Sequence, residues 1–253
     1  MNRSLWTATL SKYNAPAWPC PTCNNGILIL DQKTVVYHET DCSKKEHREE
    51  YWAPEMTDFR FSAWLKCNYL GCGDVAVVSG GGGVECWQTC NAEGETETVE
   101  SEYFTVNFIS PTPNIFYLPK GCPDEAKIHL RAGFNLFFSD QSAAANRIRV
   151  ALECLLDYLK IPRRRKDQSN KFIDLSLHKR IEHFTKNEPA LGGQLMALKW
   201  LGNTASHEGN VSRNDLLDAF EILEHVLVEL IDKRSAKVVE LARKLTKKHA
   251  RRK

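Results

Sequence analysis

The amino-acid sequence predicts an α+β fold, with a β-rich N-terminal part followed by an all-helical part. Seven of the nine cysteines and five of the six tryptophans lie before residue 115. Short β-branched and aromatic runs bounded by turn residues fill the same part. Beyond it, apolar residues recur at helical spacing over long stretches. We therefore predict domains over residues 1–115 and 116–232, and a basic tail or helix extension over residues 233–253.

Five short segments of the first part predict strands, namely "GILIL", "KTVVYHE", "FRFSAWLKC", "DVAVVS" and "SEYFTVNFI". Alternation in the third segment predicts one shared strand face for Phe59, Phe61, Ala63 and Leu65. Residues 79–83, "SGGGG", predict a flexible turn, and no Gly-Lys-Ser/Thr follows them as in a P-loop. The acidic residues 93–102 predict a solvated loop, and the charged residues 40–56 predict an exposed excursion.

Five helices are predicted after a proline-rich linker near residues 110–123. The first covers residues 124–138, and Ser139 or Asp140 caps the second. The third covers "LSLHKRIEHF", the fourth begins near Pro189, and Ser212 caps the fifth. The fifth helix either continues into the basic tail or ends near Asp232.

Two cysteine pairs predict a metal site in the first part. Cys20 and Cys23 enclose two residues, and Cys67 and Cys72 enclose four. Two such hairpins bring four thiolates to one tetrahedral site. Because each hairpin is too small to bury a core, the metal supplies folding free energy. We predict a structural Zn²⁺ ion in a zinc-ribbon-like domain. A redox-active pair and buried, unligated thiols are the alternatives.

Other cysteines and the tryptophans allow further hypotheses. A second metal site would use Cys42, His47, Cys86 and Cys90, although the spacing of this set is looser. Two cysteines in helical regions, Cys122 and Cys154, are expected to be core thiols. Four tryptophans either stack on nucleic-acid bases or belong to the core, namely Trp18, Trp52, Trp64 and Trp87.

The charge distribution points to an anionic partner. Residues 233–253 contain ten Lys or Arg and one acidic residue, Glu240, although the formal net charge of the chain is only +2. A basic tail of this kind most often contacts nucleic acid, DNA or RNA. The candidate contacts are Lys244, Lys247, Lys248, Arg251 and Arg252. The alternative is a solvated helix end that aids solubility.

The N-terminus lacks the apolar core of a signal peptide, and no apolar run is long enough to span a bilayer. We therefore expect a soluble, cytoplasmic protein. In that reducing compartment, paired cysteines favour metal binding over disulfides.

A polar stripe stands out in the helical part. Lys199, Asn203 and His207 are spaced by four residues, which places them on one face of a helix. Such a stripe can cleave RNA without a metal through the 2′-OH of the RNA. His207 would move the proton, Asn203 would orient it or the phosphate, and Lys199 would stabilise charge. The alternative is that these side chains satisfy backbone groups near a helix end.

The segments "PKGCPDEAKIHLRAGFNLFFSDQSAAANRIRVALECLLDYLKI", "LHKRIEHF" and "ALKWLGNTASHEG" resemble an uncharacterised prokaryotic DUF-type family of HEPN-like helical domains. The resemblance covers roughly residues 116–232, and it is strongest at "RVALE" and "LGNTASH". Members stand alone, often behind a zinc ribbon, or follow the motor subunit of type I restriction systems. The resemblance implies a HEPN-like all-α bundle that forms homodimers, and a role in phage defence with other proteins of the system.

HEPN-type ribonucleases carry an Arg, then a polar residue, then a His. Asn203 and His207 match the last two positions, whereas Gly202 stands at the Arg position. A positive charge would have to come from Lys199 or from Arg147, Arg149 or Arg213, and Glu153 would hold His207 or one of these cations.

Three functions follow from these observations. The first is a nucleic-acid-associated accessory protein of a bacterial defence or restriction-like system, in which the helical domain dimerises. The second is a metal-independent HEPN-type ribonuclease or toxin that uses His207. The third is a protein-interaction scaffold without a nucleic-acid role. The basic tail favours the first two functions, and Gly202 favours the first over the second.

Overall fold

A computed structural model of the chain describes residues 1–90, 94–207 and 211–250, the side chains of residues 206 and 207 excepted. The chain divides into two compact units, Asn2–Asn114 and Ile115–Lys253, the second including Met1. The first unit contains the four long strands and the second contains the long helices, so the predicted α+β class is confirmed. None of the described helices is long and apolar enough to cross a membrane.

The first unit is built around an antiparallel meander whose spatial order follows the chain. Its strands are β1 (Leu28–Glu39), β2 (Asp58–Cys67), β3 (Val75–Cys90) and β4 (Thr96–Ser110). A short helix, α1 (Ser4–Thr7), precedes the sheet, and α2 (Asp41–Glu46) and a 3-10 turn, Pro54–Met56, connect β1 to β2. The first two predicted strands are one strand, because β1 continues through a shift in register between Asp31 and Val36.

One face of the sheet forms a core, and β2 shows its pattern most clearly. Buried and exposed residues alternate along this strand, and the four side chains predicted to share a face are all buried. The N-terminal segment adds to the core at Leu10, whose backbone N–H donates to the carbonyl of Phe104 at 2.8 Å. Each apolar side chain of this size contributes about 1.5–3 kcal/mol when it is fully buried.

The turn predicted for residues 79–83 is wrong, because these residues lie inside β3. A Cβ atom on Gly80 would lie 2.0 Å from the carbonyl oxygen of Thr105, and one on Gly82 would lie 2.4 Å from that of Tyr103. The glycines therefore allow β3 and β4 to approach closely where a side chain would collide. In a sequence, glycines that serve a close approach within a strand look the same as those of a turn.

The loop predicted for residues 93–102 is also wrong from Thr96 onward, since β4 begins there. Glu93 lies outside the described residues. Gly83 is the last residue of β3 that pairs with β2. After it, only β3 and β4 remain paired, and they continue as a two-stranded ribbon. Most of its residues are exposed on both faces, so this part of β4 lacks the alternation that identifies a half-buried strand.

The second unit contains α3 (Asp124–Leu136), α4 (Gln141–Tyr158), α5 (Leu177–Thr185), α6 (Pro189–His207), α7 (Arg213–Leu227) and α8 (Arg234–Ala250). The predicted caps of α4 and α7 are confirmed. A carboxylate oxygen of Asp140 accepts from the N–H of Ala143 at 2.8 Å, and Ser212 forms a reciprocal capping box with Asp215. A hairpin of β5 (Arg164–Lys166) and β6 (Phe172–Asp174) between α4 and α5 was not predicted.

The predicted fifth helix, α7, ends near Asp232 rather than continuing into the tail. A π-helical turn, Val228–Asp232, follows α7, and Lys233 then adopts a left-handed conformation with φ of 51°. A non-glycine residue in this conformation interrupts a helix. The basic tail is therefore a separate helix, α8.

The core of the helical unit includes an aromatic cluster. The ring centroids of Phe116 and Phe134 are 5.0 Å apart, and those of Phe134 and Phe220 are 5.4 Å apart. Edge-to-face pairs of this kind add stability beyond their buried area. Buried apolar residues of α3, α4, α5, α6 and α7 complete the core.

One partly buried ion pair joins α5 to the end of α4. Arg180, which is 3% exposed, donates to a carboxylate oxygen of Asp157 at 2.7 Å and to the carbonyl of Ile161 at 3.1 Å. A hydrogen bond from Arg163 and the charge of Arg180 lower the pKa of Asp157. The pair fixes the loop that follows α4.

Candidate functional site

The four predicted ligand cysteines come together in the sheet unit. The sulfur atoms of Cys20 and Cys72 are 3.8 Å apart, those of Cys23 and Cys67 are 3.7 Å apart, and all four lie within 4.8 Å of one another. Four sulfurs about 2.3 Å from a central ion in a tetrahedron lie about 3.8 Å apart. The spacing of the cluster is therefore compatible with a bound metal ion.

Two similar turns hold these cysteines. In the first, the N–H of Asn24 donates to the carbonyl of Cys20 at 3.0 Å; in the second, the N–H of Cys72 donates to that of Tyr69 at 2.9 Å. Each turn contains one residue in the left-handed region, Asn24 with φ of 53° and Gly73 with φ of 63°. The sequence places an asparagine and a glycine where left-handed geometry is least costly.

Backbone amides in these turns point at the sulfurs. The N–H of Asn25 lies 3.4 Å from the sulfur of Cys23, and that of Tyr69 lies 3.5 Å from the sulfur of Cys67. The amide of Asn25 is the main cause that lowers the pKa of Cys23 to about 7. Desolvation raises the pKa of Cys67 to about 12. A bound cation would hold all four groups as thiolates.

Gly26 leaves room for the cluster. A Cβ atom at this position would lie 2.6 Å from the sulfur of Cys67, closer than real Cβ contacts come. Cys20 and Cys67 are buried, and Cys23 and Cys72 are half-buried. The residues thus fit a soft metal ion that is shielded from solvent and bound by sulfur.

The hypothesis of a second metal site is wrong. Among the described residues, Cys20, Cys23, Cys67 and Cys72 are the only group of three or more such side chains close enough to hold an ion. The imidazole of His47 instead contacts a carboxylate oxygen of Glu39 at 2.7 Å, and its ring centroid lies 4.2 Å from that of the tilted Trp52 ring. Of the two cysteines expected to be core thiols, Cys122 is buried and Cys154 is half-buried.

The tryptophans divide between the two roles that the sequence left open. Trp18 is a core residue with 1% of its surface exposed, and Trp52 is half-buried. Trp64 is 49% exposed on the outer face of β2, and Trp87 is 47% exposed on the ribbon. Only the last two present much of their rings to solvent.

The polar stripe of the helical unit lies on α6, which continues through Gly202 as predicted. Lys199 is only 8% exposed, and its Nζ lies 3.4 Å from the centroid of the Trp200 ring. Asn203 is half-buried. His207 ends α6, but its side chain lies outside the described residues. The catalytic roles of Lys199, Asn203 and His207 stay predictions.

Arg149 packs against Gly202. A Cβ atom built on Gly202 would lie 2.9 Å from the Cβ of Arg149 and 3.5 Å from its Cδ. The Nε of Arg149 is buried and has no hydrogen-bond partner among the described residues. Two other arginines were predicted as possible sources of the positive charge that Gly202 lacks. Arg147 is exposed, and the guanidinium carbon of Arg213 lies 5.5 Å from the centroid of the Phe137 ring.

Sequence reasoning named Arg149 but missed its contact with Gly202. The two residues are 53 positions apart, and no spacing rule connects them. The only signal was that both lie in the two segments where the family resemblance is strongest. Glu153 lies one turn after Arg149, and no ion pair within 4.0 Å joins it to a cation in the described part of the chain.

The basic tail forms α8, whose residues are all exposed. It carries six Lys or Arg and one acidic residue, Glu240, which pairs with Lys244 at 2.6 Å. Lys244, Lys247 and Lys248 belong to this helix, whereas Arg251 and Arg252 lie outside the described residues. Val238, Leu241 and Leu245 on the same helix are also exposed.

Comparisons with known proteins match both parts of the chain. Residues 8–109 match the family model of a domain of unknown function, DUF8608. Residues 132–251 match that of a second domain of unknown function, DUF4145. No match was found among curated proteins or among solved structures. The chain therefore combines two domains of unknown function, consistent with the DUF-type family that its sequence resembles.

Proposed function

We propose that this protein is a nucleic-acid-associated accessory protein of a bacterial defence or restriction-like system. The observation that carries the proposal is α8, an exposed helix with six basic residues and one acidic residue. Because one of the six is already paired with that acid, five positive charges face solvent without an acidic partner in the helix. Phosphate groups are the partners that such a helix attracts most strongly.

The sheet unit supplies the second contact in this proposal. Its four cysteines hold a structural Zn²⁺ ion, which four thiolates in a tetrahedron favour. The zinc fixes the ends of β1 and β2. The outer face of β2 then presents Arg60, Trp64 and Lys66, which all lie on the exposed side of the strand's alternation. An exposed indole suits stacking on an unpaired base. Lys66 adds a positive charge on the same face, whereas Arg60 is paired with Asp58 at 2.9 Å.

In the same proposal, the helical unit is a HEPN-like domain that forms a homodimer in the cytoplasm. The support is the resemblance of residues 116–232; the family model that matches residues 132–251 is that of a domain of unknown function. Dimerisation would bring two copies of α8 to one nucleic acid. Two linked sites bind more tightly than either site alone.

The test is fluorescence anisotropy with labelled single-stranded RNA, single-stranded DNA and duplex DNA at rising salt. One variant replaces four lysines of α8 with Gln, namely Lys237, Lys244, Lys247 and Lys248. A matched control replaces four exposed lysines outside α8, namely Lys33, Lys44, Lys171 and Lys186. We expect only the first variant to weaken binding, by roughly tenfold or more, and to reduce the salt dependence. Equal losses in both variants would refute a role for α8, and no binding to any polymer would favour the scaffold function.

A second candidate function is a metal-independent HEPN-type ribonuclease. The observation in its favour is the packing of Arg149 on Gly202, which brings a cation from α4 to the position where the sequence of α6 lacks one. Incubation of RNA with the protein in buffer without added divalent metal ions tests it, alongside His207→Ala. Cleavage that is lost in the variant would support this function. Intact RNA under all conditions would eliminate it.

A further inference from the structure

The hairpin of β5 and β6, between α4 and α5, is a short arm whose strands are exposed along their whole length. Its three residue pairs are Arg164 with Asp174, Arg165 with Ile173, and Lys166 with Phe172. All six residues are exposed. An isolated hairpin is marginally stable at best, so something other than a core of its own must hold this one.

Hydrogen bonds at both ends hold the hairpin. At its base, the N–H of Leu175 donates to the carbonyl of Arg163 at 2.7 Å, and the Nε of Arg163 donates to a carboxylate oxygen of Asp157 in α4 at 2.8 Å. At its tip, the N–H of Asn170 donates to the carbonyl of Asp167 at 3.1 Å, and Asn170 is left-handed with φ of 63°. Asparagine tolerates this conformation well. The hairpin is therefore a defined element that projects side chains into solvent.

One face of the hairpin combines an aromatic ring with a cation. Directly paired residues project from the same face of a two-stranded sheet, so Lys166 and Phe172 share one face, and Arg165 and Ile173 share the other. The Nζ of Lys166 lies 5.6 Å from the centroid of the Phe172 ring, and Phe172 is 68% exposed. The ring and the ammonium group thus reach solvent side by side.

The hairpin is also positively charged. Residues 163–174 contain five Lys or Arg and two Asp. Arg163 pairs with Asp157 and Arg164 pairs with Asp174, but in the described part of the chain no carboxylate lies within 4.0 Å of the Lys166 ammonium. An open concavity of about 600 Å³ at the tip is lined by Arg165, Lys166, Asp167, Gln168 and Ser169. An anion can therefore reach Lys166 from solvent.

We propose that this face of the hairpin binds a single-stranded nucleic acid, with a base stacked on Phe172 and a backbone phosphate at Lys166. Aromatic side chains stack on the bases of single strands, and neighbouring cations contact the phosphates. Inside a duplex, both faces of each base are covered by neighbouring bases. The ring of Phe172 therefore selects an unpaired strand.

The composition of the hairpin argues against other partners. The two apolar side chains of its strands, Phe172 and Ile173, lie on opposite faces, so neither face offers the apolar core that a protein interface buries. The tip, residues 167–170, is polar throughout, so it lacks the apolar residues that enter a membrane surface. A single ring beside a cation matches one base and its phosphate.

This inference rests on the proposed function for the class of partner, and it narrows that class to the unpaired strand. The hairpin and α8 are different elements of the helical unit. Variants of each can therefore be compared separately.

The test is fluorescence anisotropy of the full chain with labelled single-stranded RNA, single-stranded DNA and duplex DNA at rising salt. We expect Phe172→Leu to weaken binding of single strands by roughly fivefold or more. Its salt dependence and its affinity for duplex DNA should stay unchanged, because the substitution removes a ring and no charge. Lys166→Gln should weaken binding and flatten the plot of log affinity against log salt by about 0.7, the value for one phosphate of a single strand.

Two variants serve as matched controls. Phe172→Trp keeps an aromatic ring, so it should bind at least as tightly as the unmodified protein. Lys171 is exposed and precedes Phe172 by one residue, so strand alternation places it on the opposite face. Lys171→Gln should therefore bind as the unmodified protein does. Circular dichroism checks that each variant is folded.

Equal affinities of Phe172→Leu and the unmodified protein for single strands would overturn the proposal. Equal losses in Lys166→Gln and Lys171→Gln, or a matching loss of duplex binding in Phe172→Leu, would also overturn it. If only the four-lysine variant of α8 loses binding, the proposed function stands and the hairpin contact is refuted. If only the hairpin variants lose binding, the hairpin is the contact and the role of α8 is refuted. An unmodified chain that binds no polymer would refute both.

Discussion

The sheet unit and the helical unit of this chain are stabilised in different ways. The sheet unit combines a modest core with a cluster of four cysteine sulfurs within 4.8 Å of one another. The helical unit has no such cluster among its described residues, and aromatic and aliphatic side chains from five helices, α3 to α7, fill its core. A metal ion bound by the cluster would therefore stabilise the sheet unit alone, whereas side-chain packing stabilises the helical unit.

The cysteine cluster of the sheet unit and the contact between Arg149 and Gly202 in the helical unit are also assembled differently. The cysteine cluster is complete within two short turns, so its residues identify it. The contact between Arg149 and Gly202 needs two helices to meet, so only the packing of α4 against α6 brings these residues together.

Removal of the metal should have the largest effect and should act on one unit only. Under the proposed function the cluster holds a zinc ion, and such an ion contributes about 10 kcal/mol of folding free energy in small zinc domains. Cys67→Ser, or a strong chelator, would remove this contribution. We expect the sheet unit to lose its cooperative thermal transition in calorimetry while the helical signal in circular dichroism remains. Loss of both transitions together would show that the two units are not stabilised separately.

Cys42→Ser is the control for that experiment. Cys42 is exposed in the same unit and lies outside the cluster. We expect this variant to keep both the bound metal and the thermal transition. Elemental analysis should find one zinc ion per chain in it, and none in Cys67→Ser.

Two neighbouring glycines of β3, Gly80 and Gly81, should respond differently to substitution by alanine. Gly80→Ala places a Cβ atom 2.0 Å from the carbonyl oxygen of Thr105, so β4 must move away. We expect a loss of about 3 kcal/mol in the free energy of unfolding, as in other overpacked sites. Gly81→Ala meets nothing closer than 3.6 Å, and it should change stability by less than about 1 kcal/mol. Chemical denaturation of the two variants measures the difference.

These glycines show where sequence reasoning failed. Parts of all four strands (residues 28–30, 33–39, 59–67, 75–78 and 101–109), the caps Asp140 and Ser212 and the cysteine cluster follow local rules of alternation, hydrogen bonding and ligand spacing, and these were predicted. A glycine run inside a strand, or an acidic strand exposed on both faces, satisfies no local rule for strands. Such elements depend on a neighbour that is distant in the sequence.

The candidate sites also differ in whether the spacing of their residues in the sequence could identify them. Cys20, Cys23, Cys67 and Cys72 were identified from their spacing alone. The looser set of Cys42, His47, Cys86 and Cys90 does not assemble, because Glu39 and Trp52 engage His47. The contact between Arg149 and Gly202 was beyond sequence reasoning, since it depends on how α4 and α6 pack.

In the helical unit, Arg180→Met should have a moderate effect. It removes the buried cation that pairs with Asp157 at 2.7 Å and leaves the carbonyl of Ile161 without this donor. Because Asp157 remains partly exposed and keeps Arg163, we expect a loss of about 2 kcal/mol. The thermal transition of the helical unit should fall, and that of the sheet unit should not. Lys179→Met, an exposed site on the same helix, is the control.

The smallest expected effect is a dependence on pH. The hydrogen bond from Arg163 lowers the pKa of Asp157 in the folded state, so the carboxylate stabilises the fold above the unfolded pKa of about 3.9. That contribution is lost as the pH falls through the lower, folded pKa. Asp157→Asn should therefore lower stability by about 1 kcal/mol at pH 7. The difference in the free energy of unfolding between Asp157→Asn and the unmodified protein should decrease at low pH. If chemical denaturation finds the same difference at pH 7 and pH 3, this linkage is ruled out.

The central claim is that α8 binds nucleic acid through its charges. The most direct measurement is the dependence of RNA and DNA affinity on salt for the full chain and for a chain that ends at Lys233. We predict that the shortened chain binds at least about tenfold more weakly, and that its plot of log affinity against log salt is flatter, by roughly 0.9 for each phosphate that it no longer neutralises. Equal affinities and equal slopes for the two chains would contradict the claim.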